Sequence, residues 1–280
     1  MANEFKIKVR TRHPSQKPLR DMLPSMNVRS VVRFGSTTPT EEVYPKFFGK
    51  RTIIEVNTPN AVSVSANKLL MKQAFTEAGV TTSDWWVING DVLTSMKVAA
   101  ESITFDKALY PIVAKHIFGS RGTGNTLLKT KEELEAFIKN KDLSKYIFEK
   151  YYAYNREYRL HMTSEGCFYT CRKMLKSGAK ERWFRNSENS VWILEENPLF
   201  DKPTNWDSIV ADCVKALNAV GLDFGALDVR VQSAKDNDGN VIKNPKWIII
   251  ETNSAPGLEK IGLAKYVEEI PKIINRKNSM

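Results

Sequence analysis

A carboxylate and a carboxamide stand two residues apart at the end of an apolar run, Trp247-Ile248-Ile249-Ile250-Glu251-Thr252-Asn253. Strand side chains alternate between faces, so a strand here points Glu251 and Asn253 the same way. Pro256-Gly257 then turns the chain. Oxygen donors side by side at a strand end suit a hard cation such as Mg²⁺ or Mn²⁺. Asp228 closes a second apolar run, Phe224-Gly225-Ala226-Leu227-Asp228-Val229. Pairing of the two runs would gather Asp228, Glu251 and Asn253 at one metal site. A turn after an ordinary core strand would use the same residue types, so the assignment needs support elsewhere in the chain.

Two further segments could supply it. In Lys115-His116-Ile117-Phe118-Gly119-Ser120-Arg121-Gly122-Thr123-Gly124, a lysine at a strand end runs into a loop with three glycines. Glycine lets backbone N–H groups approach phosphate oxygens, and lysine adds a point charge. No Lys-Ser/Thr follows the last glycine, so this is not a Walker A loop, and the spacing is not the dinucleotide-binding fingerprint either. In Phe148-Glu149-Lys150-Tyr151-Tyr152, a strand leaves the core and becomes a linker, with Glu157 eight residues after Glu149. Such a linker can hydrogen-bond an adenine edge through its backbone, and a nearby carboxylate can take ribose hydroxyls; a charged strand end is the plainer reading.

The elements that must position these groups read as mixed α/β. Short strands are expected at Lys6–Arg12, Val28–Phe34 and Arg51–Val56. A helix is expected over Ala66–Ala78, stopped by Gly79, with Leu69, Leu70, Ala74 and Phe75 inward. Residues 84–110 are ambiguous. Ile112–Lys115 and Tyr146–Glu149 read as strands, and Thr130-x-x-Glu133 as a capping box opening a helix over Lys131–Lys139. A hairpin turns at Glu165-Gly166, and residues 176–205 read as a long irregular loop. A helix spans Asp207–Val220, and a short helix ends the chain. Three units follow: an N-terminal domain over residues 1–65, a linker helix and central subdomain over 66–153, and a C-terminal subdomain over 154–280.

With 280 residues and 42% hydrophobic content, the chain can bury a substantial core. It has no apolar window of membrane-spanning length and no apolar core of a signal peptide near its start. Cys167, Cys171 and Cys213 lack zinc-type spacing and read as reduced thiols, so a cytoplasmic location is expected. Lys and Arg exceed Asp and Glu, giving a net charge of +10. Part of the excess lies in Phe5–Arg12, where basic and apolar residues alternate. That pattern suits a solvated edge strand, or a contact for an acidic partner such as nucleic acid.

The order of these features resembles the ATP-grasp superfamily of carboxylate–amine ligases over about residues 66–260, and within it the RimK-like ligases. Lys115-x-x-x-Gly119-Ser120-x-Gly122-x-Gly124 looks like their phosphate segment. Asn155-Arg156-Glu157-Tyr158-Arg159 looks like their acidic residue with Arg two positions on. Arg182-Trp183-Phe184-Arg185-Asn186 resembles their basic substrate loop, and Glu251–Glu259 their C-terminal signature. The resemblance implies an ATP-grasp fold, with ATP held between two α+β subdomains beside a short N-terminal α/β domain. It implies that Lys115, Gly119, Ser120, Gly122 and Gly124 hold ATP phosphates, that Glu149, Lys150, Tyr151 and Tyr152 hold adenine, and that Glu157 holds ribose. Asp228, Glu251 and Asn253 would bind Mg²⁺. Lys68, Arg159, Lys173 and Arg185 would meet phosphate or acyl phosphate. The implied reaction joins a carboxylate and an amine, on small molecules or peptides, and releases ADP and phosphate. The same chemistry on nucleic acid, a phosphotransferase and a non-catalytic ATP-binding module are the other readings. A homo-oligomer follows from the habits of the superfamily. Three departures concern the substrate: Ser187-Glu188-Asn189-Ser190 replaces the paired glycines of RimK-like enzymes, Ala226 stands where D-alanine–D-alanine ligases carry an Arg, and the N-terminal region is short with no recognisable pattern.

Overall fold

The computed structural model describes residues 4–45, 52–97, 101–119 and 122–280. The chain begins with β1 (Phe5–Lys6), β2 (Lys8–Thr11), α1 (Leu19–Met22), β3 (Ser25–Met26), β4 (Ser30–Phe34), α2 (Thr40–Val43) and β5 (Ile54–Val56). β2, β4 and β5 form a parallel sheet in the order β2-β4-β5, while β1 pairs with β3. Ile7 and Val9 turn inward, as the alternation in Phe5–Arg12 requires. The basic face is partly consumed: Lys8 Nζ donates to the Val43 carbonyl at 2.8 Å and lies over the Tyr44 ring, and Lys6 pairs loosely with Asp21.

The helix expected over Ala66–Ala78 is α4 (Lys68–Glu77), and a separate helix the sequence did not announce, α3 (Pro59–Ala66), precedes it. Asn67 breaks them. Its backbone is extended, and its Oδ1 accepts from the N–H groups of Leu69 and Leu70, capping α4. The inward face of α4 also differs from expectation. Lys68, Met71, Lys72 and Phe75 are buried at helical spacing, whereas Leu70 is exposed. Apolarity placed Phe75 and Ala74 against the core correctly but missed Lys68, Met71 and Lys72, because two lysines point inward.

Residues 84–110 form an antiparallel meander, β6 (Trp85–Asn89), β7 (Val92–Ser95) and β8 (Ser102–Thr104). With β9 (Ile112–His116), β10 (Asn125–Leu128) and β11 (Tyr146–Lys150) they make a six-stranded sheet, β10-β9-β11-β6-β7-β8. α5 (Lys131–Lys139) starts at Thr130, whose hydroxyl accepts from Glu133 N–H. Leu134 of α5, with Ile112, Ala114, Leu128 and Phe148, forms an apolar layer on one face of this sheet. Lys115 and Glu149 lie on the other face.

The last sheet is five-stranded, β14-β13-β12-β15-β16. It comprises β12 (Arg156–Thr163), β13 (Gly166–Leu175), β14 (Ser190–Leu194), β15 (Phe224–Val231) and β16 (Trp247–Asn253). β14 lies inside the segment expected to be irregular. Tyr158, Leu160, Met162, Leu227 and Val229 bury one face of the sheet under α6 (Trp206–Ala219), with Met71 and Phe75 of α4 in the same core. The closing helix is long, α7 (Lys260–Ser279). Tyr266, Ile270, Ile273 and Ile274 on it pack with Val32, Phe34, Val56 and Phe224, so α7 joins the N-terminal sheet to the five-stranded sheet. Among the described residues no helix is long and apolar enough to cross a membrane.

His161 sits buried between Tyr169 and Tyr266, with its Nδ1 3.0 Å from the Tyr266 hydroxyl. Burial, reinforced by the Arg159 charge, lowers its pKa to about 3 from an ordinary 6.5. The unfolded chain therefore takes this proton first, so stability is lost as pH falls below about 6.5. Buried carboxylates lose theirs only below about 4.5, the ordinary glutamate value. We expect the wild-type protein to lose about 2 kcal/mol between about pH 6.5 and about pH 5. Urea unfolding of His161→Phe should show a flat profile in that window; an unchanged slope would reassign the titration.

Candidate active site

Strand alternation, with a register shift in β16 between Ile249 and Glu251, builds the site on the face of the five-stranded sheet opposite α6. Trp192 on β14, Lys173 on β13, Glu157 and Arg159 on β12, Asp228 and Arg230 on β15, and Glu251 and Asn253 on β16 all project from it. Glu251 stands directly opposite Asp228 in the ladder, and Asn253 opposite Ala226. Asn253 Nδ2 lies 3.3 Å from Glu251 Oε1. The three oxygen-bearing side chains thus occupy one corner of the sheet.

Asp228 is almost wholly buried and doubly paired. Arg159 meets it through Nε at 2.7 Å and Nη2 at 2.8 Å, and Lys173 Nζ reaches it at 2.7 Å. Burial alone would raise the Asp228 carboxyl; Arg159 and Lys173 outweigh it and hold the group well below the ordinary carboxylate range. Lys173 also touches Glu157 at 3.1 Å. Glu157 is 3% exposed and receives Arg230 at 2.9 Å and Arg185 at 3.4 Å. Burial opposes its ionisation too, but Lys173 and Arg230 keep its pKa low. The Trp192 ring covers the cations of Arg159 and Lys173, with centroid distances of 5.1 and 5.3 Å.

Across the cleft, Lys115 projects from β9 and forms an ion pair with Glu149 of β11 at 3.0 Å. Lys72 of α4 approaches the same carboxylate at 3.3 Å, and Ser83 donates its hydroxyl to it. Burial would raise Glu149; the two ammonium groups and the hydroxyl overcome that and set its pKa at about 2. Burial lowers Lys72 to about 8, with Glu149 opposing the shift. Lys68, one turn earlier on α4, donates to the Gly119 carbonyl and lies 4.0 Å from Glu251. It therefore connects the glycine loop to the acidic corner.

The glycine loop follows from local sterics. Gly122 has φ +82°, and a Cβ there would lie 3.3 Å from the Phe184 ring. Gly124 has φ +78°, and a Cβ would come within 2.9 Å of the His116 Cβ. Ser120 lies outside the described residues. In the linker, Lys150 N–H donates to Asp84 O at 2.9 Å and Tyr151 N–H to Pro111 O at 3.1 Å. The Tyr152 hydroxyl donates to Asp84 at 3.0 Å. The segment around Trp183 folds over the site. Its carbonyl accepts from Arg230 at 2.7 Å, and Arg185 donates to the Asn155 carbonyl at 2.7 Å.

The structure brings Arg159, Lys173, Arg185, Glu157, Asp228, Glu251 and Asn253 into one cluster and sets Lys68, Lys115 and Glu149 against it. Glu157 and Glu149 point into ion pairs with protein cations. Sequence reasoning missed Lys72, Trp192 and Arg230. Arg230 was accessible from strand alternation two residues after Asp228, and Lys72 from its i+4 spacing to Lys68.

The donor set fits a hard cation. Two carboxylates and a carboxamide offer oxygen only, and Glu251 is half-open to the cleft. Both Asp228 oxygens already face cations, so metal ligation there must share lone pairs with Arg159 and Lys173 or displace them. Among the described residues, no group of three or more His, Cys, Asp or Glu side chains forms a metal cage. Any cation would therefore also need the Asn253 oxygen, water or a ligand oxygen.

No protein-family model matches the chain, and no curated protein shows significant sequence similarity to it. Solved structures do share its architecture. D-alanine–D-alanine ligase from Bacillus anthracis matches with a TM-score of 0.57 and 14% identity, over 88% of this chain and 79% of that one. The same enzyme complexed with ATP matches with a TM-score of 0.57 and 14% identity, over 90% and 81%. The ATP-grasp ligase PsnB, complexed with a minimal precursor, matches with a TM-score of 0.54 and 15% identity, over 89% and 78%. The chain has the mixed α/β fold of these ATP-grasp ligases.

Proposed function

We propose that this protein is an ATP-dependent carboxylate–amine ligase acting on an amino acid or peptide. The observation that carries the reading is the pairing of Asp228 with Glu251 beside Arg159 and Lys173, faced by Lys68 and Lys115. Cations outnumber carboxylates in this cleft, as a polyphosphate ligand requires. The motifs that look RimK-like, together with two neighbours whose names mark them as ligases, favour amide formation over phosphotransfer.

In this reading ATP lies between the two sheets. Lys68 and Lys115 neutralise its phosphates, under the Gly119–Gly124 loop, and the Glu149–Tyr152 linker flanks the adenine. Asp228, Glu251 and Asn253 would hold Mg²⁺ or Mn²⁺, which supplies charge neutralisation at the phosphates when bound. The substrate carboxylate attacks the γ-phosphorus, the bond to the β,γ-bridging oxygen breaks, and ADP leaves with that electron pair. Arg159, Lys173 and Arg185 balance charge on the acyl phosphate. An amine then attacks the acyl carbon, loses a proton and expels phosphate. Trp192 and Phe184 cover the cations and the glycine loop, limiting hydrolysis of the acyl phosphate. The same chemistry with nucleic acid as acceptor stays the second reading: Lys8 of the basic N-terminal strand is engaged by Val43 and Tyr44, while Lys6 and Arg12 stay exposed.

Product analysis tests the reading. With Mg-ATP and pools of amino acids or short peptides, ADP, phosphate and a new amide should appear in equal amounts. AMP with pyrophosphate, or a stable phosphorylated product, would replace the mechanism. Lys115→Ala should weaken ATP binding about tenfold or more by calorimetry; unchanged affinity would remove Lys115 from the phosphates.

A further inference from the structure

Lys72 has no place in the reaction just described, yet it is fully buried at the junction of the two sheets. Its ammonium donates to the hydroxyls of Thr82 and Ser83 and faces Glu149 at 3.3 Å. Thr82 in turn donates to the Ile249 carbonyl at 2.8 Å, two residues before Glu251. Ser83 donates to Glu149, which holds Lys115 at 3.0 Å. One lysine therefore touches the chain segment that joins both halves of the cleft, and shares a carboxylate with the proposed phosphate lysine.

We infer that Lys72 is a positioning residue for the polyphosphate: by competing for the Glu149 carboxylate, it keeps Lys115 available to the ligand. A single buried carboxylate between two ammonium groups leaves the trio with one net positive charge. Without Lys72, the same carboxylate neutralises Lys115 fully and draws it back toward β11. A Coulomb interaction in a buried cleft is strong enough for this loss to reach the ligand. The inference rests on the phosphate role proposed for Lys115.

The test compares ATP, ADP and AMP binding by calorimetry in Lys72→Met and in Lys72→Gln, which keeps a hydrogen-bonding group for Thr82 and Ser83. Each variant is also made in a Glu149→Gln background. We expect ATP affinity to fall about tenfold with Lys72 neutralised, AMP affinity to stay within about twofold, and the ATP loss to shrink to about twofold in the Glu149→Gln background. Equal losses for ATP and AMP would make Lys72 a structural tie and overturn the inference. So would an ATP loss of the same size in the Glu149→Gln background, because Lys72 would then not act through Glu149. Should Lys72→Met fail to fold, the Lys72→Gln variant carries the comparison; failure of both to fold while both double variants fold would also overturn it, since Lys72 would then serve stability. Wild-type protein that binds none of the three nucleotides would instead refute the ATP site itself.

Discussion

Glu251→Gln should stop turnover while leaving the fold intact. The substitution keeps the shape of the side chain and removes one negative charge from the corner shared with Asp228 and Asn253. Glu251 is partly exposed and its nearest cation, Lys68, is 4.0 Å away, so little native stability depends on the charge. A hard cation depends on it far more, because the carboxamide that replaces it is neutral. We expect ADP release to fall at least about a hundredfold, with an unfolding midpoint near that of the wild type. Full turnover in the variant would take Glu251 out of the site. A collapse in stability would instead mean that the residue is structural.

Glu157→Gln should do the reverse and cost stability first. Its carboxylate lies between Lys173, Arg185 and Arg230 with almost no access to water. Breaking a buried ion network from one side leaves cations without compensation, a loss of about 3–5 kcal/mol. Urea unfolding near neutral pH measures it directly. An exposed pair such as Lys131–Asp106 sets the control, since removing Asp106 should change stability by about 1 kcal/mol or less. A Glu157→Gln variant as stable as that control would show that the three cations find solvent or other partners. The expectation also bears on the ribose role implied by resemblance. A carboxylate that anchors three protein cations and is this buried must be uncovered, or give up one of them, before it can accept a hydroxyl.

Where alternation governs, the sequence was readable. Asp228, Glu251 and Asn253 share a corner because two apolar runs form paired strands, but alternation alone does not suffice: a register shift skips Ile250 and turns Glu251 and Asn253 away from the face that buries Ile249. Arg159 and Glu157 share a face by alternation. Legibility failed where burial and apolarity parted company. α4 turns Lys68 and Lys72 inward, so a search for an apolar stripe chose Leu69 and Leu70 in their place. The meander from Trp85 to Thr104 mixes Ser, Thr and charged residues with no clean period; its strands pair with one another, and β11 joins them to the rest of the sheet. β14 hid in a polar surrounding because Ser190–Leu194 find their partner in β13, across the Trp183 segment, where Leu175 pairs with Ser190. The ion pairs of Glu149 and Glu157 were illegible for a simpler reason. Sequence order does not say which lysine or arginine will reach a given carboxylate.

The six-stranded sheet has its own apolar layer, and the backbone enters and leaves it at one place. Glu149 pairs with Trp85 in the ladder, and Lys150 N–H donates to the Asp84 carbonyl. The whole of residues 85–149 is thus threaded between two neighbouring points of the chain, while α7 ties the first and last sheets into a single host. Architecturally it is a module inserted into a continuous scaffold. A short peptide from Asp84 to Lys150 could close the host without rerouting any other connection. The cleft is then a seam between an insert carrying Lys115 and a two-segment host carrying Asp228 and Glu251, so the insert alone is one contiguous block that could be exchanged with that of a related protein.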